Sequence, residues 1–461
     1  MKLRNTLISA LIVCAVAAAA VTQAGTHVDL KETRLANGLR VITVEDHNAP
    51  VIAVSVTYNV GSRNERPGRT GFAHLFEHMM FQGSENVGKS EHFILIQTNG
   101  GTMNGTTNED RTNYFEALPS NQLEMVLFLE GDRMRSLAVT QENLDNQRNV
   151  VQEERRIGLD NAAYGKSGEI QQELMYDNFA YKHDTIGSMA DLNAASIDDV
   201  RGFFKMYYAP NNAVLTIVGD FKTNAALNLV KKYFENIPRQ PDPPAVDVTE
   251  PEQKAERRTS VDDMLARAMR VAIAYKTVPG NTSDFYALQV LANVLGGGGG
   301  FGGGGGASSR LYQKLIRDKE MVTNVSSRED ESRGAGGFFV TATLRPNAKS
   351  DDVEKVIYDE IARLQNEPIA DWELQKAKNS ARRNFINGLQ SSLNRAVSIG
   401  QYAVYYGDPN LINTRIDKVN AVTKDDVQRV AKKYLPQTNR TVVITVPKAG
   451  GRGPQAGMPG N

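Results

Sequence analysis

Asp198-Asp199-Val200 leads through Tyr208-Ala209-Pro210 to the apolar run Ala213–Val218. The same succession returns as Asp425-Asp426-Val427, Tyr434-Leu435-Pro436 and Arg440–Val446, at an offset of 226 to 227 residues in a chain of 461. A helix, a Tyr-x-Pro corner and a terminal strand thus occur twice, which predicts duplication of a domain of about 220 residues. Outward from these anchors, strand-like and helix-like patterns alternate. Ile52, Val54, Val56, Tyr58 and Val60 alternate with Ala53, Ser55, Thr57 and Asn59, the period-two pattern of a half-buried strand. Gln122–Leu137 and Gln141–Gly158 read as helices. The Pro-rich stretch Ile237-Pro238-Arg239-Gln240-Pro241-Asp242-Pro243-Pro244 marks a boundary. The expected division is a removable segment over 1–24, a first domain over 25–235, a linker over 236–258, a second domain over 259–446 and a disordered Gly/Pro-rich tail over 447–461.

The 53 Lys+Arg balance 53 Asp+Glu, which removes any general electrostatic reason to expect nucleic acid or an anionic membrane as a partner. A composition with 41% hydrophobic and 23% charged residues is globular and excludes a disordered or fibrous chain. The one cysteine is Cys14, and the six histidines are His27, His47, His74, His78, His92 and His183. Histidine chemistry therefore belongs to the first part of the chain. Lys2 and Arg4 precede the apolar run Leu7–Val21 and then Thr22-Gln23-Ala24, the pattern of a secretory signal peptide cleaved after Ala24 or a few residues earlier. The run falls short of the ~20 residues needed to span a bilayer, so no stable membrane anchor is expected. Cleavage would leave a cysteine-free chain, indifferent to the oxidising conditions of a periplasmic or secreted location.

Phe72-Ala73-His74-Leu75-Phe76-Glu77-His78-Met79-Met80 carries the sharpest chemical signal. Phe72, Leu75, Phe76, Met79 and Met80 make the buried stripe of an amphipathic helix. At about 100° per residue, His74, Glu77 and His78 share the opposite side. Two imidazoles one turn apart can chelate one ion, with Glu77 beside them: the H-x-x-E-H inverzincin motif. A catalytic zinc site needs a third protein ligand and an open position. His92, next to Glu91, reads as an ordinary surface histidine. The helix around Val150-Val151-Gln152-Glu153-Glu154 offers two carboxylates. Helical phase puts Glu154 on the inward side with Leu144, Gln147, Val150 and Val151, where a metal or an internal salt bridge would be its partner.

From Leu35-Ala36-Asn37-Gly38-Leu39 to the last strand, the chain resembles the family of pitrilysin, insulin-degrading enzyme and mitochondrial processing peptidase. The resemblance rests on His74-Leu75-Phe76-Glu77-His78 followed, after 75 residues, by Glu154. It implies an α+β fold of two homologous domains, each a mostly antiparallel sheet flanked by helices, joined by the Pro-rich linker. It implies that His74, His78 and Glu154 bind one zinc ion per chain and that Glu77 is the general base. Gln147 stands where family members often carry another glutamate. Nearly in phase with Glu154, it is expected to orient a ligand rather than to bind the metal.

Gly100-Gly101-Thr102-Met103-Asn104-Gly105-Thr106-Thr107 reads as a strand of little side-chain bulk. It resembles the family's edge strand for peptide addition, with Asn104 and Gly105 in place of Asn-Ala. The glycine-rich run over 296–306 resembles, in composition and position, the glycine-rich loop of the non-zinc subunit of mitochondrial processing peptidase. Family members commonly place an arginine and, seven residues later, a tyrosine toward the substrate. Arg317 matches, but Asn324 stands in the tyrosine's place and lacks the phenol donor. A homodimer, or a heterodimer with a related chain carrying an intact Arg/Tyr pair, is expected. The resemblance thus implies a zinc endopeptidase acting on peptides or unfolded polypeptide. A non-catalytic assembly subunit and a peptide-binding protein of the same fold are the alternatives.

Overall fold

The duplicated anchors fold alike. Ser196 accepts the Asp199 amide and Thr423 the Asp426 amide, and each aspartate accepts its cap's own backbone amide in return. These reciprocal caps satisfy N–H groups that a helix start would otherwise leave unpaired. After each helix, an asparagine locks the Tyr-x-Pro corner. Asn212 Nδ2 donates to Tyr207 O at 2.8 Å and to Asn59 O at 3.3 Å. Asn439 Nδ2 donates to Tyr434 O and Lys276 O, both at 2.8 Å.

The structure is a computed structural model that describes residues 27–297 and 306–448. The expected signal peptide, most of the glycine-rich run and nearly all of the tail lie outside the described residues. The first half contains β1 (Lys31–Arg34), β2 (Arg40–Glu45), β3 (Val51–Tyr58), α1 (Phe72–Met79), α2 (Glu91–Thr98), β4 (Thr102–Thr107) and β5 (Thr112–Pro119). It continues with α3 (Leu123–Ser136), α4 (Gln141–Arg155), α5 (Gly165–Met175), α6 (Ile197–Tyr207) and β6 (Ala213–Gly219). The second half contains β7 (Arg257–Asp263), β8 (Arg270–Lys276), α7 (Ser283–Leu295), β9 (Val322–Asp330) and β10 (Gly337–Leu344). Then follow α8 (Asp371–Leu389), α9 (Ser392–Tyr406), α10 (Lys424–Tyr434) and β11 (Arg440–Pro447).

The sheets run β1-β2-β6-β3-β5-β4 and β7-β11-β8-β10-β9. Leaving out β1, the two orders are the same, strand for strand. One pair in each is parallel, β2 with β6 and β7 with β11, and every other pair is antiparallel. The fold is therefore α+β with two related, mostly antiparallel sheets. β4 and β9 are the matching edges.

β3 corrects the half-buried expectation: both of its faces are buried. Val54, Val56 and Tyr58 face the first core, while Ala53, Ser55 and Thr57 lie under α9, a helix of the second half. The small side chains permit that approach. A Cβ on Gly400 would stand 2.5 Å from Thr57 Oγ1. The loan is reciprocal, since α5 of the first half packs on β7, β8 and β11, where Ser167 Oγ and Thr445 Oγ1 lie 2.7 Å apart. Each sheet is thus covered by a helix from the other half, and the sequential division at the linker describes strands better than helices.

The irregular segment before β7 is held down. Glu250 accepts the amides of Asp177 and Asn178 at 3.1 and 2.8 Å, and Gln253 Nε2 donates to Thr438 O and Arg440 O at 3.1 and 2.9 Å. The β4–β5 turn is anchored as well. Buried Asp110 accepts from Arg63 (2.7 Å), the Tyr181 hydroxyl (2.9 Å) and the Arg333 amide (2.7 Å) of the second half. Among the described residues, no helix is long and apolar enough to cross a membrane.

Candidate metal centre

Phe72, Leu75, Phe76 and Met79 bury one stripe of α1, which leaves His74 and His78 on the other side. Their rings stand nearly perpendicular, with centroids 4.8 Å apart. Glu154 comes to them from the last turn of α4. Its Oε2 lies 3.7 Å from His74 Nε2 and 3.3 Å from His78 Nε2. Donor atoms bound to one zinc at its usual bond lengths sit about 3.3–3.5 Å apart, so the three residues fit a shared ion. Burial pushes the His74 imidazole down to about 4, helped by neighbouring His78 and opposed by Glu154. Burial also lowers His78, against Glu154 and a hydrogen bond accepted by the Gln147 side chain. Both rings are then neutral near pH 7, with lone pairs free for a cation.

The two glutamates on α4 separate cleanly. Glu153 pairs at 2.9 Å with Arg156 on the surface. Glu154 reaches the histidines but is not the inward residue expected: its side chain is 50% exposed. Val150 is also exposed, whereas Leu144, Gln147 and Val151 are buried. The buried side of α4 is thus narrower than the sequence phase predicts, and Val150 and Glu154 fall on its solvent side. Gln147 lies behind the group, its Nε2 bonded to Asn146 Oδ1 at 2.6 Å.

Glu77 lies on α1 beside β4. Thr107 Oγ1 donates to its Oε2 at 2.6 Å. A Cβ on Gly105 would stand 2.8 Å from Glu77 Cγ, so the glycine opens the space this carboxylate occupies. Burial raises the Glu77 pKa, against the Thr107 hydrogen bond. Asn104 is exposed on the same edge strand, its Oδ1 accepting the Gly105 amide at 2.9 Å. Arg317 and Asn324 are exposed, on the turn before β9 and on β9 itself. Among the described residues, no ion pair joins either of them to His74, His78 or Glu154.

His92 is the plainest correction: it is buried, 4% exposed, behind the site. Its Nε2 is 3.8 Å from Glu116 and 4.0 Å from Glu130, a spacing that again suits a metal. Here the cation is Arg133, whose guanidinium pairs with both glutamates and lies over the Tyr114 ring, 4.4 Å from its centroid. Burial pushes His92 down to about 3 and Glu130 up to about 8. The arginine fills the place an ion would take. His92 appeared exposed in the sequence because the buried partners, Glu116, Glu130 and Arg133, arrive from β5 and α3.

Sequence reasoning also missed Glu65 and His183. The N-cap of α1 is Gly71, at φ 86°, with no side chain to offer. Glu65 substitutes for it: its carboxylate accepts the Gly71 amide at 2.9 Å, the Ala73 amide at 2.7 Å and His183 Nε2 at 2.9 Å. The scarcity of histidine was the available signal, since His183 was left without a task.

Fold and site together define a class: a duplicated α+β protein whose first half brings two histidines and one carboxylate within reach of a single metal ion. Residues 40–163 match the family model for insulinase (peptidase family M16), and residues 194–381 match that for the peptidase M16 inactive domain. The zinc protease PqqE of Helicobacter pylori is 30% identical over 90% of this chain and 92% of that protein. A probable mitochondrial-processing peptidase subunit beta of Arabidopsis thaliana is 24% identical over 88% of this chain and 76% of its own. The crystal structure of a protease from Helicobacter pylori superposes with a TM-score of 0.86 at 30% identity, covering 91% of this chain and 100% of that one. The chain belongs to peptidase family M16, a metallopeptidase family.

Proposed function

We propose that this protein is a zinc-dependent endopeptidase acting on peptides or unfolded polypeptide segments. The observation that carries the reading is the convergence of His74, His78 and Glu154 beside Glu77 and an open edge strand. These residues would hold one zinc ion, which when bound supplies Lewis acidity toward water and a peptide carbonyl. Glu77, its pKa raised by burial, takes a proton from the attacking water and passes it to the departing amine. Thr107 holds Oε2 and leaves Oε1 for that exchange. β4, bonded on one side only, receives an extended substrate by main-chain pairing beside Asn104 and Gly105. Gln147 orients His78. Arg317 contacts substrate from the second half, and a second copy or a related chain with an Arg/Tyr pair supplies what Asn324 lacks. The removable leader places the mature enzyme in the periplasm or outside the cell.

An assembly subunit or a peptide-binding protein would use the same scaffold without turnover. The intact donor set and the neutral imidazoles favour the enzyme. Metal analysis and cleavage of an unstructured peptide, with Glu77→Gln as control, test the reading. The variant should keep its zinc and lose cleavage. Wild type that holds zinc yet never cleaves, alone or with a partner, would sink the peptidase.

A further inference from the structure

The two ligand-bearing helices are joined by a third element. The segment 179–188 touches the start of α1 and the end of α4 at once. On the α1 side, His183 Nε2 meets Glu65, which holds the Gly71 and Ala73 amides, and the Ser188 amide donates to Thr70 Oγ1 at 3.0 Å. Gly187, at φ 75°, lies directly on the Thr70–Gly71 backbone, too close for any Cβ. On the α4 side, Arg155, next to Glu154, donates to Gly187 O at 2.7 Å and grips Glu169 with its other nitrogen at 2.9 and 3.0 Å. The carbonyl of Gly187 is therefore bonded to one ligand helix while its Cα rests on the other.

His183 is held as firmly as what it holds. Nδ1 faces Phe179 O at 2.8 Å and Nε2 faces the Glu65 carboxylate, so both nitrogens meet acceptors and both carry hydrogen. The ring stacks on Phe179 with centroids 4.4 Å apart. Glu65 in turn receives three donors and no acceptor.

We propose that His183, acting through Glu65, and Gly187, acting through Arg155, are positioning residues that set the separation of α1 from α4 and hence the spacing of His74 and His78 from Glu154. The proposal rests on the metal reading above and concerns residues that touch neither ion nor substrate. Supporting groups of this kind typically change metal affinity about 10- to 100-fold when removed.

The test is chelator competition with Co(II), together with its visible spectrum and thermal melting of the metal-free protein, on the full chain. His183→Ala should weaken Co(II) binding about 10- to 100-fold and alter the visible bands, with apo melting close to wild type. His183→Gln, whose amide can still donate to Glu65, should recover most of the affinity. Glu65→Gln, though isosteric, turns a donor toward donors and should behave like His183→Ala. His47→Ala, at an exposed histidine bonded to Asp220 and Glu45 and to none of these residues, should change nothing. Wild-type affinity and spectrum in His183→Ala and Glu65→Gln overturn the proposal and leave the metal reading standing. A loss of affinity that only follows a loss of melting temperature, with the glutamine variant no better, overturns it as well. Should His183→Ala not fold, the glutamine variants decide by the same readings. Failure of wild type to bind Co(II) or zinc overturns the metal reading itself, and this inference with it.

Discussion

α1 and α7 are the same helix in two halves of one chain, and they have diverged in almost everything except place. Each follows the strand that pairs with the last strand of its half, β3 beside β6 or β8 beside β11, packs on the long helix α4 or α8, and lies beside the edge strand β4 or β9. α1 turns His74, Glu77 and His78 into the gap between these neighbours. α7 is apolar nearly all round, with Leu288, Leu291 and Ala292 buried. The matching gap in the second half is a cavity of about 230 Å³ bordered by Gln289, Ala292, Asn293, Ala381 and Asn384. The helix starts differ too. α7 is capped by its own Thr282, whereas α1 begins at a glycine and borrows Glu65 from outside. A helix that only packs can cap itself. A helix that must present ligands at a set distance is held from several sides.

The comparison breaks most sharply at Glu77. Glu77→Gln should lower kcat by about 10²–10⁴-fold at unchanged zinc content, measured by peptide cleavage and metal analysis. No polar-to-apolar change among Gln289, Asn293 and Asn384 should approach that. Next come the adjacent glutamates of α4. Glu154→Gln should cost zinc affinity by at least 10-fold in chelator competition, while Glu153→Gln, which loses only a surface pair with Arg156, should not move it. Two glycines then separate site from scaffold. Gly105→Ala should displace Glu77 and lower kcat with little change in melting. Gly400→Ala, pressed against Thr57, should cost about 1–3 kcal/mol of stability in denaturant unfolding.

The smallest effect belongs to Asp284, which ties α7 to α10 through Arg429, Lys433 and the Tyr434 hydroxyl. Those hydrogen bonds overcome desolvation and hold its carboxyl at about 2, below the usual 3.8. A lowered carboxylate stabilises the folded state above its unfolded pKa and loses that stabilisation as pH falls. The expected contribution is about 1–2 kcal/mol, present at pH 5 and lost between pH 4 and 2. Asp284→Asn should flatten the acid limb of a pH-melting curve without touching zinc content.

The repeat was readable because caps and corners are local. Asp199 with Ser196 and Asp426 with Thr423 act within four residues, so their chemistry survives in the sequence as a pattern. The helix carrying His74 and His78 was readable for the same reason, since i, i+4 spacing is itself the geometry. What failed was burial that arrives from afar. The burial of Ala53, Ser55 and Thr57 depends on a helix some 340 residues later. The burial of His92 depends on Glu116, Glu130 and Arg133. The link from His183 to Gly71 passes through Glu65, 118 residues away. Periodicity describes a face but not what will cover it.

The exchanged helices bear on how the molecule comes to be made. A ribosome releases residues 27–219, with every metal donor and every strand of the first sheet, long before residues 392–406 exist to cover Ala53 and Thr57. Until then that side of β3 and β6 lacks the helix that buries it. The histidine-free half thus supplies the cover for the sheet behind a candidate site to which it gives no donor: a stretch of chain made late completes one made early.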